Sequence, residues 1–255
     1  MDKLIKVKKE DISIFDSICP DKIKLFHKYE YFIFDQKNNM VCAVTAVISL
    51  IEYLRQKEGK KYEKLSVGFL YHNSLLFDNI ELVKRHGLKS TSVLNALLKN
   101  GTCSEFIHDS NNINSNPSHE AIIESLSRLK HCDIENIEPS IETIKYIIGY
   151  CERPIVAVFT IYDPIKFYSY ETSYDIITPP FYENQINSNI KHSILLVGYN
   201  DVKRVIYFQN SYGKEWGKGG FGRVSYDCIS YFDLLYSMDE SCIKSSDDEL
   251  LEIEC

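Results

Sequence analysis

The chain has 255 residues, 44% of them apolar, and carries 29 basic against 36 acidic side chains for a net charge of −7. Such a length and apolar content suffice for a sizeable core, as one large domain or as two small lobes sharing an interface. The acidic balance argues against a nucleic-acid partner, and the short basic patches Lys6 to Lys9 and Lys57 to Lys64, the second broken by Glu58 and Glu63, read as solvated faces.

The start Met1-Asp-Lys-Leu-Ile-Lys-Val-Lys-Lys-Glu10 has no apolar core of signal-peptide length, and no run of about 18 apolar residues occurs. A soluble chain made in the cytosol, with no membrane partner, is therefore expected. Residues 1–34 are weakly patterned and read as an N-terminal extension, with Cys19-Pro20 as a turn. From Cys42 to Gln56 apolar residues fall nearly all round the helical wheel (Val44, Ala46, Val47, Ile48, Leu50, Ile51, Tyr53, Leu54), the mark of a buried helix. Leu65 to about Lys84 reads as a second helical stretch with a break near Asp78-Asn79. Ser90 to Asn100 is a third, with Ser90 or Thr91 as its cap and Gly101 as its stop. Asn116-Pro117 opens a fourth, with Ala121, Ile122, Leu126 and Leu129 on one face. Ser140 caps a short helix through Ile144, Ile147 and Ile148 that ends at Gly149.

Strand signals dominate afterwards. Ile155-Val-Ala-Val-Phe-Thr-Ile161 is a continuous β-branched and aromatic run, as in a strand covered on both faces. Ser193 to Tyr199, Val205 to Gln209 and Phe221 to Tyr226 are further strands, with turns at Asn200-Asp201 and Gly213 to Gly220. The class is α+β: a helical lobe over about 35–135 and a sheet lobe over about 136–240, followed by an acidic tail over 241–255.

Eight cysteines (Cys19, Cys42, Cys103, Cys132, Cys151, Cys228, Cys242 and Cys255) show no C-x-x-C pair and no metal-like Cys/His spacing. Reduced thiols are the expectation, and no metal is implied. No Gly-rich phosphate loop occurs, so no nucleotide or flavin cofactor is implied either.

Three separated stretches carry chemistry. Gln36-Lys-Asn-Asn-Met-Val-Cys42 opens the buried helix, Lys191-His192-Ser-Ile-Leu-Leu-Val-Gly-Tyr199 opens a strand, and Gln209-Asn210-Ser-Tyr-Gly-Lys-Glu-Trp216-Gly follows another. At the head of a helix the Cys42 sulfur faces unsatisfied amides and the positive end of the dipole, which favours the thiolate. His192 is the histidine in the most strongly patterned context, and the Asn210 amide is suited to orient an imidazole. Taken singly, each has a plainer reading: a core cysteine, a strand-end imidazole and a turn asparagine.

In that order and with those flanks, the stretches resemble the papain-like cysteine peptidases (C1 family) over about Asp35 to Tyr236. The segment Pro117-Ser-His-Glu-Ala to Thr160-Ile-Tyr-Asp-Pro164 is similar to the compact viral and bacterial branch. The resemblance implies a two-lobe fold, helical N-terminal and antiparallel β-rich C-terminal, with the active site in the cleft between lobes and polypeptide as substrate. It implies Cys42 as nucleophile, His192 as general acid/base, Asn210 as the residue that orients His192, and Gln36, six residues before Cys42, as an oxyanion-hole amide. Trp216 corresponds to the family's shielding aromatic, and Tyr212 stands where another Trp is frequent. The cysteine that makes a disulfide in secreted relatives is replaced by Asn39.

Departures concentrate at the expected substrate cleft. Met40-Val41 replaces a small pair before the nucleophile, Ala43 replaces a Trp, and Lys191 sits beside His192, where an ammonium aimed at the ring would disfavour the imidazolium. The groove-lining glycine pair of secreted relatives has no clear counterpart near Gly87 to Ser92. Only 41 residues precede Cys42, so control by substrate access, expression or a partner is expected rather than by a pro-segment. Two other functions stay open at this level: a catalytically inactive peptide-binding module, and another thiol acyl transferase or isopeptidase. Oligomeric state is not readable.

Overall fold

The computed structural model describes residues 3–5, 20–78, 87–128, 133–162, 167, 176–179 and 190–238. They fall into two compact units, one taking the described residues up to Lys37 together with Ile134–Ser237, the other taking Asn38–Asp133 with Met238.

The helical unit opens with α1 (Cys42–Lys57), whose residues from Ala43 to Leu54 are all buried, as the all-round apolar pattern requires. Its first turn is closed by the Val41 carbonyl, which accepts from the Thr45 N–H at 2.9 Å and the Thr45 hydroxyl at 3.0 Å. Within this apolar helix Glu52 is buried, and its Oε1 accepts from the Leu65 N–H at 2.9 Å. α2 (Val67–Asp78) begins under Ser66, whose Oγ accepts from the Phe69 N–H at 3.0 Å.

α3 (Ser90–Asn100) ends at Gly101, with φ of 66°, a conformation glycine adopts without steric cost. Its start differs from expectation. Neither Ser90 nor Thr91 caps it; Asp78 does so from α2, accepting from the Lys89 N–H at 3.1 Å and from the Ser92 hydroxyl. A cap supplied by another element leaves no local sequence signal.

α4 (His119–Arg128) is capped by the Ser118 hydroxyl, which accepts from the Ala121 N–H at 3.1 Å, so Pro117 precedes the helix rather than opening it. Its buried side chains are Ala121 and Ser125, while Ile122, Ile123 and Leu126 are exposed. Small residues allow close approach here, and the expected Ile122–Leu126 face is not the one buried. Leu129, expected on that face, lies outside the described residues, as does the stretch between Asp78 and Gly87 in which a break was expected.

The sheet unit carries β1 (Lys3–Ile5), β2 (Lys22–Lys24), β3 (Ile134–Ile137), β4 (Ile155–Ile161), β5 (Ile190–Asn200), β6 (Val205–Gln209), β7 (Phe221–Ser225) and β8 (Phe232–Met238). The order is β1-β3-β8-β4-β5-β6-β7, with β2 paired to β5. Between β3 and β4, α5 (Ile141–Lys145) is capped by Ser140, as read from sequence, and runs into one wider turn over Tyr146–Tyr150.

The expected N-terminal extension over residues 1–34 does not stand apart. β2 pairs antiparallel with Gly198–Asn200, and the chain from Phe34 to Gln36 runs beside Ser211 to Gly213. Three or four residues are too few to show a period, so β1, β2 and β3 were not legible as strands. The acidic tail expected over 241–255 lies outside the described residues.

Candidate active site

β5 begins with two exposed residues and then turns buried at His192, whose cross-strand partner is Phe159 on β4. Two aromatic rings that also meet each other edge-on pack against the imidazole. Tyr212 stacks on it with centroids 4.9 Å apart, and Phe167 meets it edge-on at 5.5 Å. Phe167 had no signal in the sequence. Its carbonyl accepts from the Trp216 indole N–H at 3.1 Å, so the only tryptophan in the sequence fixes a group that packs on His192.

β6 ends at Gln209, and the next residue, Asn210, is held by its own N–H donating to the Gly220 carbonyl at 2.9 Å. Asn210 Oδ1 lies 2.7 Å from His192 Nε2 and also accepts from the Ser211 N–H at 2.8 Å. The backbone N–H of Ser211 assigns that atom as the amide oxygen, so Nε2 is the nitrogen that donates to it and carries the proton of the neutral ring. Nδ1 is then the basic nitrogen. The Tyr212 hydroxyl stands 3.4 Å from it.

Gln36 joins this group through the backbone. Its N–H donates to the Ser211 carbonyl at 2.8 Å, and its Oε1 accepts from the Ser211 hydroxyl at 2.6 Å. With the oxygen engaged, the amide NH₂ is the end left to donate. Ser211 was in the quoted motif without a role; the structure makes it the clasp between Gln36 and Asn210. The sheet unit therefore brings together His192, Asn210, Gln36 and Tyr212, all buried or half-buried.

Lys191 takes the other direction. Neighbours on a strand project to opposite faces, and the Lys191 ammonium pairs with Asp233 at 2.7 Å and donates to the Thr160 hydroxyl at 2.6 Å. The concern that its charge bears on the imidazole is thereby removed. In the helical unit, Cys42 is the first residue of α1, half-buried, with Val41 fully buried before it and Met40 43% exposed. Val41 offers no side-chain cap to the first turn, and the positive end of the helix dipole there favours an anionic sulfur. Among the described residues no cluster of His, Cys, Asp and Glu suited to a metal is present.

Residues 83–234, which hold His192, Asn210, Tyr212 and Trp216, match the family described as papain family cysteine protease. The chain belongs to the papain family of cysteine proteases. An uncharacterized peptidase C1-like protein of Acanthamoeba polyphaga mimivirus is 24% identical over 173 residues, 64% of this chain and 53% of that protein. The chain thus spans about half the length of that relative. Among solved structures, xylellain, a cysteine protease from Xylella fastidiosa, superposes with a TM-score of 0.74 at 19% identity, covering 93% of this chain and 90% of its own. A Carica candamarcensis cysteine protease in complex with E-64 gives 0.66 at 16% identity over 86% of this chain and 98% of its own. Both likenesses carry the papain fold, with its helices and antiparallel sheet.

Proposed function

We propose that this papain-family chain is a working cysteine peptidase that hydrolyses polypeptide through a thioester on Cys42. The observation that carries the reading is the hydrogen bond between His192 Nε2 and Asn210 Oδ1, beside a Gln36 amide clasped by Ser211. It supports a ring with Nδ1 ready to take the Cys42 proton. The thiolate attacks the scissile carbonyl carbon, and its oxygen becomes an oxyanion held by the Gln36 NH₂ and the Cys42 N–H. As the tetrahedral adduct collapses, His192 gives its proton to the leaving amine and the acyl group stays on sulfur. Water, losing its proton to His192, then attacks the thioester and returns the thiol.

Of the three features that favour a non-cutting peptide-binding module, Met40, Val41 and Lys191, the last is weakened by the pairing of its charge with Asp233. The four described cysteines, Cys42, Cys103, Cys151 and Cys228, form no disulfide, which supports action in a reducing compartment such as the cytosol. The test is titration with E-64, the ligand in the Carica candamarcensis structure, followed by peptide mapping. Stoichiometric loss of peptidase activity with the adduct on Cys42 is the expected result. Even labelling of several cysteines, or a Cys42→Ala variant that still cleaves a peptide library, contradicts the reading.

A further inference from the structure

One face of the sheet unit carries a second feature with no part in this chemistry. The pairing register places Lys24 on β2, Gly198 on β5, Tyr207 on β6 and Arg223 on β7 in a single row across four strands. Paired residues share a face, so the Lys24, Tyr207 and Arg223 side chains stand together. The row needs Gly198: a Cβ there would overlap the Ile23 carbonyl of β2. His192 projects to the opposite face, since it alternates in phase with Leu196, whose partner Phe208 faces away from Tyr207.

Above the row lies a pocket of about 490 Å³, walled by Phe26, Tyr31 and Phe221 and rimmed by Lys203 and Lys218. That volume is in the range of sites for small molecules, about 300–1,000 Å³. Among the described residues no acidic side chain lines it. Asp201 accepts from the Tyr226 hydroxyl and pairs with Lys145, and Asp227 pairs with Arg204. Lys24 is held over the Tyr207 ring at 4.6 Å from its centroid, which positions the ammonium instead of leaving it to swing in solvent. Partial burial and the positive charges of Lys218, Lys203, Lys22 and Arg223 all press the Lys24 pKa downward, a repulsion that an anion in the pocket would reduce. In a chain of net charge −7 this concentration of cations is local, so the attraction does not come from the protein's overall field.

We propose that this pocket binds a compact anion carrying two or more phosphate groups. The phosphates sit among Lys24, Lys203, Lys218 and Arg223, and a ring, where the ligand has one, lies against Phe26 and Tyr31. The assignment is independent of peptidase activity.

Calorimetric titration of the intact chain with inorganic tripolyphosphate and, separately, with ATP tests it. Both are expected to bind, more weakly as salt is raised. The exposed-site double variant Lys203→Gln/Lys218→Gln is expected to weaken each by about tenfold, and Arg223→Gln, made separately, by a comparable factor. ATP tighter than tripolyphosphate assigns a ring to the aromatic wall, while equal affinity assigns the site to the phosphate chain alone. Absence of binding, or affinity unchanged in variants whose circular dichroism matches the parent and equal to that of Lys60→Gln/Lys61→Gln, overturns the proposal.

Discussion

The Tyr212 hydroxyl stands 3.4 Å from His192 Nδ1 while its ring stacks on the imidazole at 4.9 Å between centroids. An indole at this position would cover the ring with no oxygen to offer Nδ1. Here the covering residue presents a hydroxyl to the nitrogen that the proposed mechanism reserves for the thiol. In Tyr212→Phe the cover is kept and the competitor removed. Alkylation of Cys42 by iodoacetamide is then expected to quicken by about twofold to tenfold, the span of one net hydrogen bond of roughly 0.5–1.5 kcal/mol. An unchanged or slower rate shows that the hydroxyl does not compete.

Asn210 acts on the reaction only through the orientation and tautomer of His192. Asn210→Ala frees the ring to rotate and leaves Nε2–H without its acceptor. A fall in kcat on the order of 100-fold is expected, with KM little changed, because misplacement of a reacting group costs rate rather than binding. Steady-state kinetics on a fluorogenic peptide reads the split.

The clasp between Ser211 and Gln36 separates an oxyanion donor from the residue that aims it. Gln36→Ala should lower kcat by about 10²–10³. Ser211→Ala leaves the donor present and unaimed, and should cost roughly tenfold, about one hydrogen bond's worth. If Ser211→Ala is as damaging as Gln36→Ala, the hydroxyl has a larger part than aiming.

Lys191 makes a mostly solvent-screened pair with Asp233, both side chains being more than 40% exposed. Such pairs contribute about 0–1 kcal/mol. Lys191→Ala is expected to leave kcat/KM and its pH profile within about twofold. A marked shift of the profile would mean that the ammonium does reach the imidazole.

Glu52 makes stability depend on pH. Burial lifts its carboxyl from the ordinary 4.5 to about 8, against the lowering effects of the Leu65 N–H bond and Lys64. A raised folded pKa means that the fold keeps a proton the unfolded chain releases. Stability is full below about 4.5, falls as pH rises from there to about 8, and is level beyond. The loss reaches on the order of 3 kcal/mol at pH 7, at 1.36 kcal/mol per pH unit. Glu52→Gln keeps an oxygen for the Leu65 N–H and is expected to flatten this slope in urea unfolding at pH 5 to 8. Parallel slopes for parent and variant would place the titrating group elsewhere.

Much of the architecture was legible because long patterned runs speak for themselves. The all-round apolar run of α1 and the β-branched run of β4 came out close to their read limits. Strands of three or four residues did not, since β2 has too few positions to show a period, and β2 is what ties the N-terminal residues into the sheet. The α3 cap was misplaced because Asp78 reaches it from another helix, and the buried face of α4 was misjudged because close packing selected Ala121 and Ser125 over larger apolar residues.

The amino-acid order alone determined the candidate chemistry: a thiol at the head of a buried helix, an imidazole opening a strand, and an amide one residue past another. These are local properties, set by propensity and periodicity. Only the tertiary structure decided that Ser211 clasps Gln36, that Phe167 and Tyr212 grip His192, that Lys191 spends its charge on Asp233, and that Lys24, Lys203, Lys218 and Arg223 meet around one pocket. Each of these depends on strand register and on which face a residue takes, and pairing between segments that include Lys22 and Asn200, far apart in the chain, sets both.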